Sequence, residues 1–223
     1  MNRKSLALAS TLLVATMVAA AVAIGLATPA DLMLPIHWGI DGTPDRLAGK
    51  WTALLLPPLF TALLSLFFYT LPALEPRRHG LGRSQGLYFW GWVGALIVFA
   101  AIAVAVASEA LGWQLPVPRL ITVAVGAMLV LIGNQLGKSR SMYLIGIRTP
   151  WTLASEEVWI RTHRLGGKLM VVAGAGLVAA ATLAPQGALA AITLALVALA
   201  ALIPVAFSYL LWRREQRGDQ PSG

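Results

Sequence analysis

Six runs of mostly apolar residues, at 6–27, 51–74, 87–107, 120–136, 169–183 and 188–212, decide what this chain can fold into. A helix needs about 20 such residues to cross the hydrocarbon core of a bilayer. The stretches between the runs are too short to build a separate water-facing core. Only 12% of the 223 residues are charged and 58% are hydrophobic, whereas a soluble domain carries roughly 25% charge. So little polar surface cannot cover a globule in water, and lipid must be the solvent. The expected fold is all-α, a polytopic membrane bundle of six transmembrane helices. The fifth run is the shortest, and its Gly174 and Gly176 suit close helix–helix contact better than lipid exposure.

Charge sets the orientation. Arg3, Lys4, Arg77, Arg78, Arg83, Lys138, Arg140, Arg148, Arg161, Arg164, Lys168, Arg213, Arg214 and Arg217 fall on one side of the spans, 14 of the 17 basic residues. Arg46, Lys50 and Arg119 fall on the other. The positive-inside rule then predicts both termini in the cytoplasm of a bacterium, with the spans in its plasma (inner) membrane. Tyr88, Trp90, Trp92, Tyr209 and Trp212 mark inner borders, Trp51 and Trp113 outer ones. Arg3, Lys4 and the apolar run after them resemble a signal peptide. A signal h-region, however, is about 7–15 residues, shorter than 6–27, so the first span is expected to be retained.

The same pattern excludes several function classes. A formal charge of +8 suggests nucleic acid only when it gathers on one face of a soluble fold. Here the charge lies in the gaps between spans, so the expected partner is membrane lipid, with no direct nucleic-acid contact. Cysteine is absent. The spans contain almost nothing ionisable: Glu109 lies near an outer end, with the amides Asn134 and Gln135 near an inner one, which argues against an ion-coupled pump. A small transporter or channel stays open as the alternative. There is no nucleophile–base pair, metal cluster or glycine-rich phosphate loop, so neither enzymatic activity nor a cofactor is expected. Pro57, Pro58 and Pro204 read as packed kinks rather than gating hinges.

Two loops carry more than topology requires. The outer one, 28–50, has turn formers at Pro35, Asp41-Gly42 and Pro44-Asp45, which predict a compact cap against the membrane surface. His37 reads as a hydrogen-bonded interfacial side chain rather than a metal ligand, since His79 and His163 lie on the opposite side. The Asp41 and Asp45 spacing lacks the calcium-loop pattern. On the cytoplasmic side, in 137–168, Gly137-Lys138 stops a helix. Thr149-Pro150 and Thr152 cap a new one, with Glu156 and Glu157 in its early turns. Glu157 and Arg161, like Trp159 and His163, stand at i,i+4. Gly166-Gly167 is expected to end this element, giving a short amphipathic helix on the inner surface with tryptophan at the headgroups. Arg148-Thr149-Pro150-Trp151 combines a guanidinium, a rigid turn and an aromatic plane, so Arg148 is a candidate binder of a phosphate, a carboxylate or backbone carbonyls.

These residues carry a resemblance. Gly133-Asn134, Gly146 to Leu153 (Arg148, Thr149, Pro150 and Trp151 among them), Trp159, Thr162-His163 and Gly166-Gly167-Lys168 closely resemble the SdpI family of bacterial membrane proteins. Leu34-Pro35, His37-Trp38, Gly42, Pro44-Asp45 and Lys50 resemble an uncharacterised outer-loop module often joined to that family. The resemblance implies a two-helix N-terminal module over 1–80 and a four-helix region over 81–223. It also implies immunity to a secreted toxic peptide, met from outside, and recruitment of a cytoplasmic repressor. Asn134, Arg148, Thr149, Pro150, Trp151, Trp159 and His163 are then the candidate inner-loop site, with Pro35, His37, Trp38, Asp45 and Lys50 as the outer-loop motif.

Overall fold

The computed structural model describes residues 3–39 and 42–218, so Asp41 of the predicted outer turn lies outside the described residues. In chain order the elements are α1 (Arg3–Ala27), β1 (Met33–Trp38), β2 (Pro44–Gly49), α2 (Lys50–Leu74), α3 (Arg78–Arg83) and α4 (Gln85–Ala110). Then follow α5 (Val117–Leu136), α6 (Pro150–Ala154), α7 (Glu156–Leu183) and α8 (Gln186–Gly218). Six of these, α1, α2, α4, α5, α7 and α8, are long and apolar enough to span a bilayer. The protein is an all-α polytopic bundle; the face at the start of α1 and the end of α8 is here the terminal face.

The cap expected from turn chemistry over 28–50 is a β-hairpin. β1 and β2 pair antiparallel, from Met33 opposite Gly49 to Trp38 opposite Pro44, with an irregularity around His37. Leu34 is buried against Ala21, Ala53, Leu54 and Val106, so the hairpin plugs onto α1, α2 and α4. Burial of one leucine side chain contributes roughly 1.5–3 kcal/mol, enough to hold a short hairpin that would be marginal alone.

α5 and α7 meet along a glycine seam. A methyl group on Gly126 would lie 2.8 Å from the Gly174 carbonyl oxygen, and one on Gly133 would lie 2.7 Å from that of Gly167. Backbone meets backbone at both points, two helical turns apart, as small residues permit. This seam explains one correction. α7 does not end at Gly166-Gly167 but runs unbroken from Glu156 to Leu183. Each glycine costs a helix about 1 kcal/mol, yet here the missing side chain is what lets α5 approach.

The amphipathic surface helix is therefore absent as a separate element, and Trp159 is not at the headgroups. Its side chain is buried at 0% exposure. Glu156 and Glu157 do stand in a first turn, but of α7, which Ser155 caps by accepting from the Val158 amide, and not of the helix that Thr149 caps, because the chain breaks between α6 and α7 at Ser155. Glu157 meets Arg161 at 4.0 Å on an exposed surface.

Candidate functional site

The connection from α5 to α7 is built inward from its two ends. Trp159 and His163, one turn apart on α7, stack with ring centroids 3.9 Å apart and 16° between planes. Trp159 Nε1 donates to Ser139 Oγ at 3.3 Å. His163 Nδ1 donates to the Trp159 carbonyl at 2.8 Å, and Nε2 accepts from the Ile147 amide at 2.9 Å. One ring nitrogen gives and the other receives, which assigns the neutral tautomer. With both nitrogens engaged, His163 cannot take a proton or a metal without releasing Ile147.

Gly146 makes that approach possible. Its φ of +116° is a conformation for which side chains are poorly suited, and an added Cβ would lie 2.7 Å from His163 Nε2. Beyond it the chain turns sharply. Arg148 is exposed and reaches back through Nη1 to the Tyr143 carbonyl at 2.8 Å. Thr149 and Thr152 cap α6 reciprocally: the Thr149 amide donates to Thr152 Oγ1 at 2.9 Å, and the Thr152 amide to Thr149 Oγ1 at 3.2 Å. Pro150 opens the helix as its first residue, where its missing N–H costs nothing.

Of the partners expected for Arg148, the structure supplies a backbone carbonyl, that of Tyr143. Trp151 meets Tyr209 of α8 edge-on, with centroids 5.1 Å apart. Thr149 Oγ1 and Ser208 Oγ, 3.2 Å apart, make a second tie to α8. Asn134 is exposed on α5 and takes no part in the cluster.

Two residues that sequence reasoning missed complete the arrangement. Glu75, only 1% exposed, follows α2 and accepts from three amides: Oε1 from Arg77 at 2.9 Å and Tyr143 at 3.0 Å, Oε2 from Leu144 at 2.8 Å. Arg77 donates to Ser141 Oγ, to Tyr143 Oη at 3.1 Å and to the Leu153 carbonyl at 3.4 Å, and its guanidinium lies 4.4 Å from the Tyr143 ring centre. A carboxylate accepting several amide hydrogen bonds is a strong local latch. The only signal was a lone acid, Glu75, among the basic residues of its loop.

On the opposite face the outer-loop motif gathers around the hairpin. His37 Nδ1 and Asp45 Oδ1 are 2.6 Å apart across the strands, both exposed. Trp38 packs at the edge of the Leu34 cluster, and Pro35 pairs opposite Leu47. Lys50, 6% exposed, donates through Nζ to the carbonyls of Gly25 at 2.5 Å and Thr28 at 2.6 Å. Between hairpin and bundle lies a largely apolar cavity of about 570 Å³, lined by Ile36, His37, Trp38, Ile121, Gln186 and Leu189 among others.

Comparison with known proteins gives two family matches. Residues 138–208 match the SdpI/YfhL protein family, and residues 11–62 match a domain of unknown function (DUF1648). Over 141 residues the chain is 28% identical to the immunity protein SdpI of Bacillus subtilis (strain 168). That alignment covers 63% of this chain and 65% of the relative, just under two thirds of the latter's length. No solved structure matches the chain.

Proposed function

We propose that this SdpI-like multi-pass membrane protein protects a bacterial plasma membrane from a secreted toxic peptide, meeting it at the hairpin face and relaying its presence to a cytoplasmic regulator. The observation carrying this reading is that the 138–208 match falls on a connection far more ordered than a topological loop needs. Fourteen basic residues orient the chain already. Orientation alone asks nothing of Glu75, Arg77, Gly146 and His163. Through Thr149–Ser208, Trp151–Tyr209 and Ser155–Glu215 the connection reaches the last turns of α8. A shift of helices can thereby alter the surface offered to a regulator. Exposed Arg148 is the natural contact on that surface, and its planar fork suits a carboxylate.

The test is survival of cells with and without the gene when challenged with toxin-containing medium from peptide-secreting strains. Arg148→Lys, Arg148→Ala and Trp151→Ala are compared with the wild type for abundance, orientation, survival and regulator recruitment. Normal abundance and orientation with lost protection or recruitment supports the site. If both Arg148 variants protect and recruit as well as wild type, the arginine is a topological anchor. Substrate flux in proteoliposomes without any protection would replace the immunity reading with a transporter or channel.

A further inference from the structure

Beside the latch, on the terminal face, a cavity of about 540 Å³ is lined by Arg77, Gly80, Arg83, Arg140, Ser141 and Glu156. It lies among the ends of four spans, since Arg77 follows α2, Arg83 precedes α4, Arg140 follows α5 and Glu156 opens α7. Membrane-spanning helices end at the headgroup layer, the boundary that such a cavity would face. Among the described residues no carboxylate comes within ion-pair range of any of these three guanidinium groups. Arg77 spends its donors on Ser141, Tyr143 and Leu153, and Arg140 places Nη1 near its own neighbours' carbonyls, Lys138 at 3.4 Å and Ser139 at 3.2 Å. Arg83 is exposed. The wall therefore carries three positive charges and one negative charge, with donor capacity to spare.

Geometry holds the cavity open. A methyl on Gly80 would collide with the Ser141 carbonyl oxygen, so α3 lies directly against the 138–143 segment. Ser84 Oγ accepts from the Arg140 amide at 2.9 Å and fixes that segment again. Three guanidinium groups against one carboxylate around one space leave a net positive field that favours an anion, and the guanidinium fork matches phosphate oxygens.

We propose that this cavity binds a phosphate group, supplied by an anionic phospholipid headgroup, and that its occupation braces α3 and the 138–143 segment. The site is separate from the immunity reading and does not depend on it. Phosphate is the shared chemistry of a lipid headgroup and a soluble phosphate, and the lipid is favoured by the cavity's place at the ends of four spans. Glu156 on the same wall favours a headgroup that also carries hydroxyls, as phosphatidylglycerol does.

The experiment uses the full chain purified in a neutral detergent, with thermal unfolding followed by tryptophan fluorescence. Phosphatidylglycerol and sodium phosphate are titrated in turn, with phosphatidylcholine as the baseline lipid. A ligand that binds only the folded state raises the Tm with its concentration. Phosphatidylglycerol should raise the wild-type Tm by several degrees above baseline, and likewise that of R213Q/R214Q, which loses the same charge from an exposed part of α8. R83Q/R140Q should lose that rise. R83Q alone, altering one exposed side chain, serves if the double variant is unstable without lipid, and should lose part of it. An equal rise with sodium phosphate, lost in the same variants, supports the site with soluble phosphate as its source. No rise with either ligand, or a rise undiminished in R83Q and R83Q/R140Q, overturns the proposal.

Discussion

Lys50 begins α2, yet its ammonium lies 2.5 Å from the carbonyl oxygen of Gly25, in the last turn of α1. A helix leaves its last carbonyls unpaired and negative, and a cation there satisfies both needs. Arg119 does the same for α7, donating to the Ala181 carbonyl at 2.5 Å and to Ala184 at 3.0 Å. Two of the three basic residues on the hairpin face are thus engaged by helix ends, which accounts for their breaking the charge asymmetry of the chain.

Replacing Lys50 by Met keeps the stem and removes the donors. Hydrogen bonds to a charged group contribute about 1.5–3 kcal/mol, so Lys50→Met should lower thermal stability by that order and expose the hairpin to protease. Unfolding in detergent and limited proteolysis of 28–49 measure both. An unchanged Tm and cleavage pattern would mean that the ammonium caps nothing in solution.

Glu75→Gln keeps one oxygen for Arg77 and Tyr143 but turns an amide donor toward Leu144. Leaving a buried donor without an acceptor costs about 1–3 kcal/mol. Trypsin should then cut faster at Lys138, Arg140 and Arg148, while the spans remain inserted.

His163→Phe preserves a ring against Trp159 and removes the acceptor for Ile147. A penalty of about 1–3 kcal/mol is expected for the orphaned amide, with less for His163→Gln, which still offers a carbonyl. Hydrogen exchange at the Ile147 amide reports this directly. Equal protection in the wild type and His163→Phe would show that the bond is not maintained.

Gly133→Ala and Gly126→Ala each push a methyl into an opposing backbone carbonyl, and overpacking of this kind costs about 1–3 kcal/mol. Gly82→Ala, with nothing within 4 Å, should be nearly silent. The comparison is made by thermal unfolding of the three variants, and a loss shared by Gly82→Ala would point to a cause other than the seam.

Reporter fusions at Gly80 and Gly112 should read cytoplasmic and external, from the distribution of basic residues. Inversion of that order would overturn the orientation on which the functional proposal rests.

Apolar length and hydropathy made the six spans legible in the sequence, since crossing a bilayer imposes a local rule on each segment. The Thr149 cap and the Glu157–Arg161 pair were legible for the same reason, being set by near neighbours. Gly166-Gly167 misled because a glycine pair marks a helix end locally, and only the approach of Gly133 on another helix reverses that meaning. Trp159 misled likewise: a tryptophan near a span border is usually interfacial, and its burial depends on the preceding connection folding back, with Ser139 bonding its indole and Gly146 against its ring. Glu75 gave no local pattern at all, because its partners Tyr143 and Leu144 lie 68 and 69 residues away.

That separation has a consequence for biogenesis. The chain emerges from the ribosome N-terminus first, so Glu75 is made well before the amides of Tyr143 and Leu144 that will bind it. In the interval its carboxylate stays hydrated, keeping the end of α2 at the water boundary while α4 and α5 are inserted. Only when the chain has returned through α5 can Glu75 gain the last two of its three amides and leave water. Burial of this one carboxylate therefore marks, within the molecule itself, that the first four crossings have been completed in the right order.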